Sequence, residues 1–277
     1  MSIKKLDQKF ANKEQGAKAR LFYPPAFSAL MKIGKFGLIN NFLPYYWLER
    51  NSDLEIIEAN PKQMTSLLYN GKIHYAPIPS YFFIKNKREL RNYEFCIASK
   101  ERVLSVVVVS KDKTLDSSPI AVTGDTLTSV NLLKIIMEEN GMSNKLVFAE
   151  SGKVNDLLAI CKHALVIGDE AIKARMVYRV VMDLGEEWYE LTGLPMVFGI
   201  SSSLKNVDAS EIDRTLVKSI DWGLKNMDEV VSVAATKFSM PPEFLEEYFK
   251  TLSYRIGSKE KKGLELFEEM CRECGIV

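Results

Sequence analysis

Between residues 103 and 199 the chain alternates β-branched apolar runs with amphipathic stretches, and this rhythm narrows the possible folds more than any other feature of the sequence. Residues 103–109 read Val-Leu-Ser-Val-Val-Val-Val, apolar at almost every position, as expected of a strand covered on both faces. A second strand is expected at 120–122. It runs into Gly124-Asp125-Thr126-Leu127-Thr128-Ser129, and a helix follows with Val130, Leu133, Ile136 and Met137 as its apolar stripe. Strands at 145–149 and 164–167 bracket a helix near 154–160, and further strands are expected at 177–182 and 196–199. This order predicts an α/β protein with mainly parallel sheets flanked by helices.

On either side the pattern changes. Residues 1–30 read as an appendage, a polar, Lys-rich stretch ending in Leu21-Phe22-Tyr23-Pro24-Pro25, where the prolines break any helix and favour an extended strap. Ordered structure is expected from Met31, with a short strand to Ile39 opening into a loop at Asn40-Asn41 and a second strand over 54–59. Pro61 then starts a helix bearing Met64, Leu67 and Leu68, ended by Asn70-Gly71. Beyond Ser203 helices take over. Ser210 is expected to cap one striped by Ile212, Leu216, Ile220 and Leu224, Pro241-Pro242 opens another bearing Phe244, Tyr248 and Leu252, and Ser258 caps a last one. There is no internal repeat or low-complexity linker. The two sheet-forming regions are therefore expected to share a cleft, with 31–110 plus 195–277 as one lobe and 111–194 as the other.

Charge excludes whole classes of partner. The 37 basic and 36 acidic side chains leave a formal charge of +1, so no global field draws nucleic acid or acidic membranes. No apolar run reaches the ~18 residues of a membrane span. Met1 to Arg20 carries six Lys/Arg and no apolar stretch of the kind a secretion signal needs. The expectation is a reduced, cytoplasmic protein, a monomer or homodimer.

Familiar catalytic signatures are missing: the sequence has no phosphate-binding GxxxxGK[ST], GxSxG, HExxH or GxGxxG. Cys271-Arg272-Glu273-Cys274 lacks a second pair of metal ligands nearby, and its plainer reading is two small hydrophobes on a terminal helix. His74 and His163 are isolated, with His163 read as a strand-edge residue. More informative is the glycine-led turn at 124–129, whose free backbone N–H groups and hydroxyls suit a carboxylate or phosphate. Thr126 or Thr128 acting as a simple helix cap explains it equally well. Val166-Ile167-Gly168-Asp169 has the same strand–turn–helix form, and Pro77-Ile78-Pro79-Ser80 reads as a rigid turn presenting a hydroxyl. Facing one another, such turns form an anion-binding cleft.

Several runs also resemble one family. Cys96-Ile97-Ala98-Ser99 with Val103-Leu104-Ser105-Val106, Ala164 to Ala171 (ALVIGDEA), and Asp183 to Pro195 (DLGEEWYELTGLP) are similar to the menaquinone-biosynthesis family of the futalosine pathway. So is the ending with Tyr248-Phe249, Leu252-Ser253-Tyr254, Gly263-Leu264 and Phe267. The resemblance spans about residues 31–277. It implies a two-lobed periplasmic-binding-protein-like (type II) α/β fold with a ligand cleft between the lobes. It also implies one of two enzyme activities. One is the hydro-lyase reaction that dehydrates chorismate to 3-[(1-carboxyvinyl)oxy]benzoate; the other forms 1,4-dihydroxy-6-naphthoate. That second branch opens with a Ser-Pro-Cys-Pro-Asn-Asp type run, absent here, so the dehydratase branch is preferred. A non-catalytic binder of a small carboxylate is the remaining alternative.

Pro44 stands one residue later than the family proline, so Asn40 and Asn41 compete for the place of the family's catalytic asparagine; Asn40 is preferred by its distance from Gly34. A substrate carboxylate acts as base, with Asn40 orienting it or bonding the departing hydroxyl. The resemblance and the turn pattern together nominate Asn41, Ser80, Ser99, Ser105, Thr126, Thr128, Ser129, Gly168 and Asp169 as substrate contacts, with no metal and no cofactor.

Overall fold

The computed structural model describes residues 31–124 and 127–276; the strap expected in residues 1–30, and Thr126, lie outside the described residues. Strand β1 (Lys32–Phe36) pairs in parallel with β2 (Glu55–Ala59). The strand stops at Phe36, three residues before the expected end, and the chain bends through a 3-10 turn at Ile39–Asn41 into helix α1 (Phe42–Asn51). The sequence pattern did not suggest α1. It is buried over most of its surface, so no amphipathic stripe marks it, and Pro44 sits in its first turn, where a missing N–H breaks no helical bond. Helix α2 (Pro61–Tyr69) starts as expected, with Asn60 and Gln63 exchanging side-chain and backbone bonds in a capping box.

Next come β3 (Ala76–Pro79), α3 (Ser80–Asn86) and β4 (Leu90–Ser99). The run read as a rigid proline turn is thus a strand. It lies at the end of its sheet, where prolines cost no ladder bond on the outer side. The chain then crosses over and lays down β5 (Val106–Ser110), β6 (Ile120–Thr123), α4 (Leu127–Glu139), β7 (Leu146–Ala149), α5 (Val154–Ile160), β8 (His163–Ile167), α6 (Gly168–Ala174), β9 (Arg179–Asp183) and α7 (Leu184–Thr192). It returns through β10 (Val197–Leu204) and ends in α8 (Ser210–Lys225), α9 (Met227–Phe238), α10 (Pro242–Thr251), β11 (Leu252–Arg255) and α11 (Ser258–Glu273).

Two sheets organise these elements. The first has the order β11-β4-β10-β3 and is joined to β1 by a bridge from Ile33 to Tyr75; the second has the order β7-β6-β8-β5-β9. Strand β5 belongs to the second sheet, so the first crossing falls between Ser99 and Val106 rather than at 110–111. Nor are the sheets mainly parallel. The first is antiparallel throughout and β5 runs against both its neighbours, while the parallel pairs are β1–β2, β6–β7 and β6–β8. The crossing strands β5 and β10 each enter a sheet from the opposite lobe and so run against the strands already there.

The second sheet is covered on both faces, as the valine run demands. Val107, Val109, Ala121, Ala164 and Val166 meet Leu157 and Leu158 of α5 and Ala171 and Ala174 of α6. Val106, Val108, Ile120, Val122 and Leu165 share the main core with α4 and α7. At residue level, four expectations are corrected. Ser210 is the first residue of α8 and bonds Asp208 instead of capping, Gly257 rather than Ser258 precedes α11, and Leu252 begins β11. His163 is no edge residue: it is wholly buried on β8, bonded to Ser110 and Asp116.

Candidate active site between the lobes

The carboxyl ends of β1, β6 and β8 converge, the place where ligands of open α/β sheets bind. They border a cleft whose space, part of it open to solvent, is about 560 Å³. From the first lobe come Phe36, Leu38, Asn40, Pro61, Pro79, Ile97, Phe198 and Gly199. From the second come Ser105, Val106, Leu127, Thr128, Ser129, Ile167 and Gly168. Its polar groups are amide and hydroxyl, and among these lining residues none carries a titratable side chain. The apolar walls suit a small carbon ring, with a few placed donors fixing its orientation.

Asn40 stands in the 3-10 turn and lines the cavity, while Asn41 is completely buried behind it. Asn41 Oδ1 accepts from Phe36 N at 3.3 Å, and its Nδ2 donates to Asn40 Oδ1 at 2.8 Å. Asn40 thus lines the cavity, and Asn41, buried behind it, holds the Asn40 side chain.

Ser105 is placed by a strained turn. Leu104 has φ of +61°, a conformation that costs a residue with a Cβ roughly 1–2 kcal/mol. Three hydrogen bonds hold it there. Asp183 accepts from Val103 N at 3.0 Å and Leu104 N at 2.8 Å, and Arg175 donates to Leu104 O at 2.8 Å. Gly185 lets α7 come this close, since a Cβ there would lie 2.7 Å from Val103 N. Ser105 itself accepts at its carbonyl from Gly168 N (2.7 Å) and at Oγ from Tyr248 (2.9 Å).

Thr128 and Ser129 lie in the first turn of the thirteen-residue α4, whose amides and dipole favour an anion. Thr128 Oγ1 accepts from Tyr81 N of the other lobe at 3.1 Å, leaving its own proton to donate. Gly168 (φ +61°) passes beside Leu38, and the adjacent Asp169 accepts from Ile39 N at 2.9 Å, tying the lobes together. Burial pushes the Asp169 carboxyl above its ordinary value.

The remaining nominees stand apart from the lining. Ser99 is fully buried and its hydroxyl oxygen accepts from Met196 N at 3.3 Å, where β4 leaves the sheet. Ser80 is fully buried at the start of α3 with no hydrogen-bond partner for its hydroxyl among the described residues. Sequence reasoning missed the supporting set of Tyr248, Asp183 and Arg175. Tyr248 and Asp183 lay in quoted motifs but carried no expected role, and nothing local to Arg175 signals a partner 71 positions away.

Comparison with known proteins agrees with this architecture. The solved structure of an Archaeoglobus fulgidus protein superposes with a TM-score of 0.75 at 18% identity, covering 89% of this chain and 98% of that one. The periplasmic aliphatic sulphonate-binding protein of Escherichia coli superposes with a TM-score of 0.63 at 15% identity, covering 89% and 88%. These likenesses establish the periplasmic-binding-protein-like fold. A chorismate dehydratase of Thermus thermophilus is 27% identical over 248 residues, 83% of this chain and 91% of that protein. A family model described as menaquinone biosynthesis matches residues 31–273, and the chain belongs to that family.

Proposed function

We propose that the protein is a chorismate dehydratase, a hydro-lyase that removes water from chorismate to give 3-[(1-carboxyvinyl)oxy]benzoate. The observation that carries this reading is the cavity lining itself: mostly apolar walls whose polar groups are uncharged donors from both lobes, with Asn40 at one side and Ser105, Thr128 and Ser129 at the other. Chorismate is a cyclohexadiene bearing two carboxylates. Hydroxyls and the α4 N-terminus hold such groups without a cation.

The chemistry asks little of the protein. Loss of a ring C–H proton and the neighbouring hydroxyl creates a benzene ring, so the reaction is strongly downhill and the task is alignment. With no titratable lining residue among those described, the substrate's enolpyruvyl carboxylate takes the ring proton while the C–O bond to the hydroxyl breaks. The proton and hydroxide leave together as water. Asn40 orients that carboxylate through an amide hydrogen, and Ser105, Thr128 and Ser129 hold the substrate's oxygens.

The test is to mix purified protein with chorismate and follow the ultraviolet spectrum and the product mass. A product lighter by one water with benzenoid absorption is expected. Chorismate bound but recovered unchanged would contradict the assignment.

A further inference from the structure

Two sets of hydrogen bonds stand behind the cavity, one through Asn41 to Asn40 and one from Tyr248 to Ser105. Phe36 N can only donate, so it fixes Asn41 with Oδ1 toward β1 and Nδ2 toward Asn40. Asn40 therefore accepts at Oδ1 and turns its own Nδ2 outward. Separately, the Tyr248 hydroxyl donates to Ser105 Oγ at 2.9 Å. Ser105 Oγ is now an acceptor on its protein side, and its own proton has no protein acceptor among the described residues. Ser105 lines the cavity, and into the cavity that proton must go.

We propose that Tyr248 is a positioning residue that commits the Ser105 hydroxyl to donate into the cavity, so that the bound ligand must present an oxygen acceptor, a carboxylate or hydroxyl oxygen, at that point. Burial supports this by holding the phenol protonated far above neutral pH, so that it remains a donor to Ser105. Packing supports it as well. The Tyr248 ring lies parallel to Phe244 and tilted against Phe249, and the residue is 1% exposed, so the phenol oxygen is held beside Ser105. The bond also runs from the first lobe (Tyr248) to the crossing strand (Ser105), so the donor is set only when these parts are assembled. The inference rests on the dehydratase reading for the identity of the acceptor alone.

A double-mutant cycle separates this hydrogen bond from a packing role. Ser105→Ala, Tyr248→Phe and the double variant are compared with the wild type for kcat/KM on chorismate, after their melting temperatures are checked. Removing the Ser105 donor is expected to lower kcat/KM by about a hundredfold, the usual loss for one placed donor. Tyr248→Phe is expected to lower it about tenfold, one ordinary hydrogen bond, and to add nothing in the Ser105→Ala background. Equal factors in both backgrounds, or no effect of Tyr248→Phe on the wild type, would overturn the proposal. If Tyr248→Phe does not fold, Tyr248→Leu, which also lacks the hydroxyl, replaces it in the same cycle, with the same non-additivity expected and the same additivity fatal. Chorismate and benzoate are also tested as carboxylate probes by thermal shift. A wild type that binds both but turns over neither costs the dehydratase reading alone, and the cycle is then read on binding. A wild type shifted by neither overturns the inference itself.

Discussion

Gly168 occupies a position that a side chain would spoil. Its φ is +61°, and a Cβ there would come within 2.9 Å of Leu38 Cδ2 on the opposite lobe. Gly168→Ala is therefore expected to destabilise the protein by about 1–2 kcal/mol through the backbone alone. It should also lower activity beyond that by wedging the lobes apart, which denaturant melts paired with initial rates would show. At this scale the sequence was informative about which small polar residues meet. Asn40, Ser105, Thr128, Ser129 and Gly168 all line one cavity. It was silent on the orientation of each. Asn40 and Asn41 are chemically identical and adjacent, and only the Phe36 amide, reached by folding β1 against the 3-10 turn, distinguishes their roles. Likewise nothing in Val103-Leu104-Ser105 announces a left-handed leucine, a conformation imposed by groups more than 70 positions away.

Two buried aspartates fasten elements in each lobe, and they differ in what they hold. Asp213 on α8 receives the Tyr75 hydroxyl at 2.5 Å and the amides of Glu94 (2.9 Å) and Phe95 (3.2 Å), bolting the helix to β4 away from the cavity. Asp183 caps α7 through Gly185 N and Glu186 N, and through Val103 N and Leu104 N it also sets the turn before β5. Either one replaced by alanine is expected to cost roughly 2–4 kcal/mol, the sum of a cap and charge-assisted bonds lost from a buried site. Only Asp183→Ala should also cut kcat per folded molecule, because Ser105 moves when Leu104 relaxes; Asp213→Ala should leave it near wild type. Thermal melts with active-site-normalised kinetics distinguish the two. Elements with strong periodicity or good caps, such as α2, α4 and the strands of the second sheet, were legible in the sequence. Helix α1 was not, since its burial on nearly every side erases the amphipathic signal, and the strand directions were not, since antiparallel entry follows from the crossings rather than from any local pattern.

Across the whole molecule, the lobes meet through polar ties at the cavity rim: Ile39 N to Asp169, Tyr81 N to Thr128, and Tyr248 to Ser105. The first depends on pH. Burial raises the Asp169 carboxyl above its ordinary value, so the folded protein holds that proton more tightly than the unfolded chain does. The group therefore favours the folded state most below the ordinary carboxylate range, and that contribution is lost as pH rises through the raised value. Wild type compared with Asp169→Asn should lose melting temperature over that window, and a difference independent of pH would contradict it. The two-lobed plan itself was visible in the order of strands and helices and in the family's motifs, while the point of crossing at Ser99 to Val106 emerged only from strand pairing. The claim on which the rest depends is that chemistry occurs at Asn40 in the cavity between the lobes. The most direct measurement is the rate of chorismate dehydration by the wild type, Asn40→Ala and Asn41→Ala, each confirmed folded. The expected result is turnover by the wild type, a loss of about a hundredfold or more in Asn40→Ala, and a smaller loss in Asn41→Ala, which only disorients Asn40. Wild-type rates in both variants would contradict it.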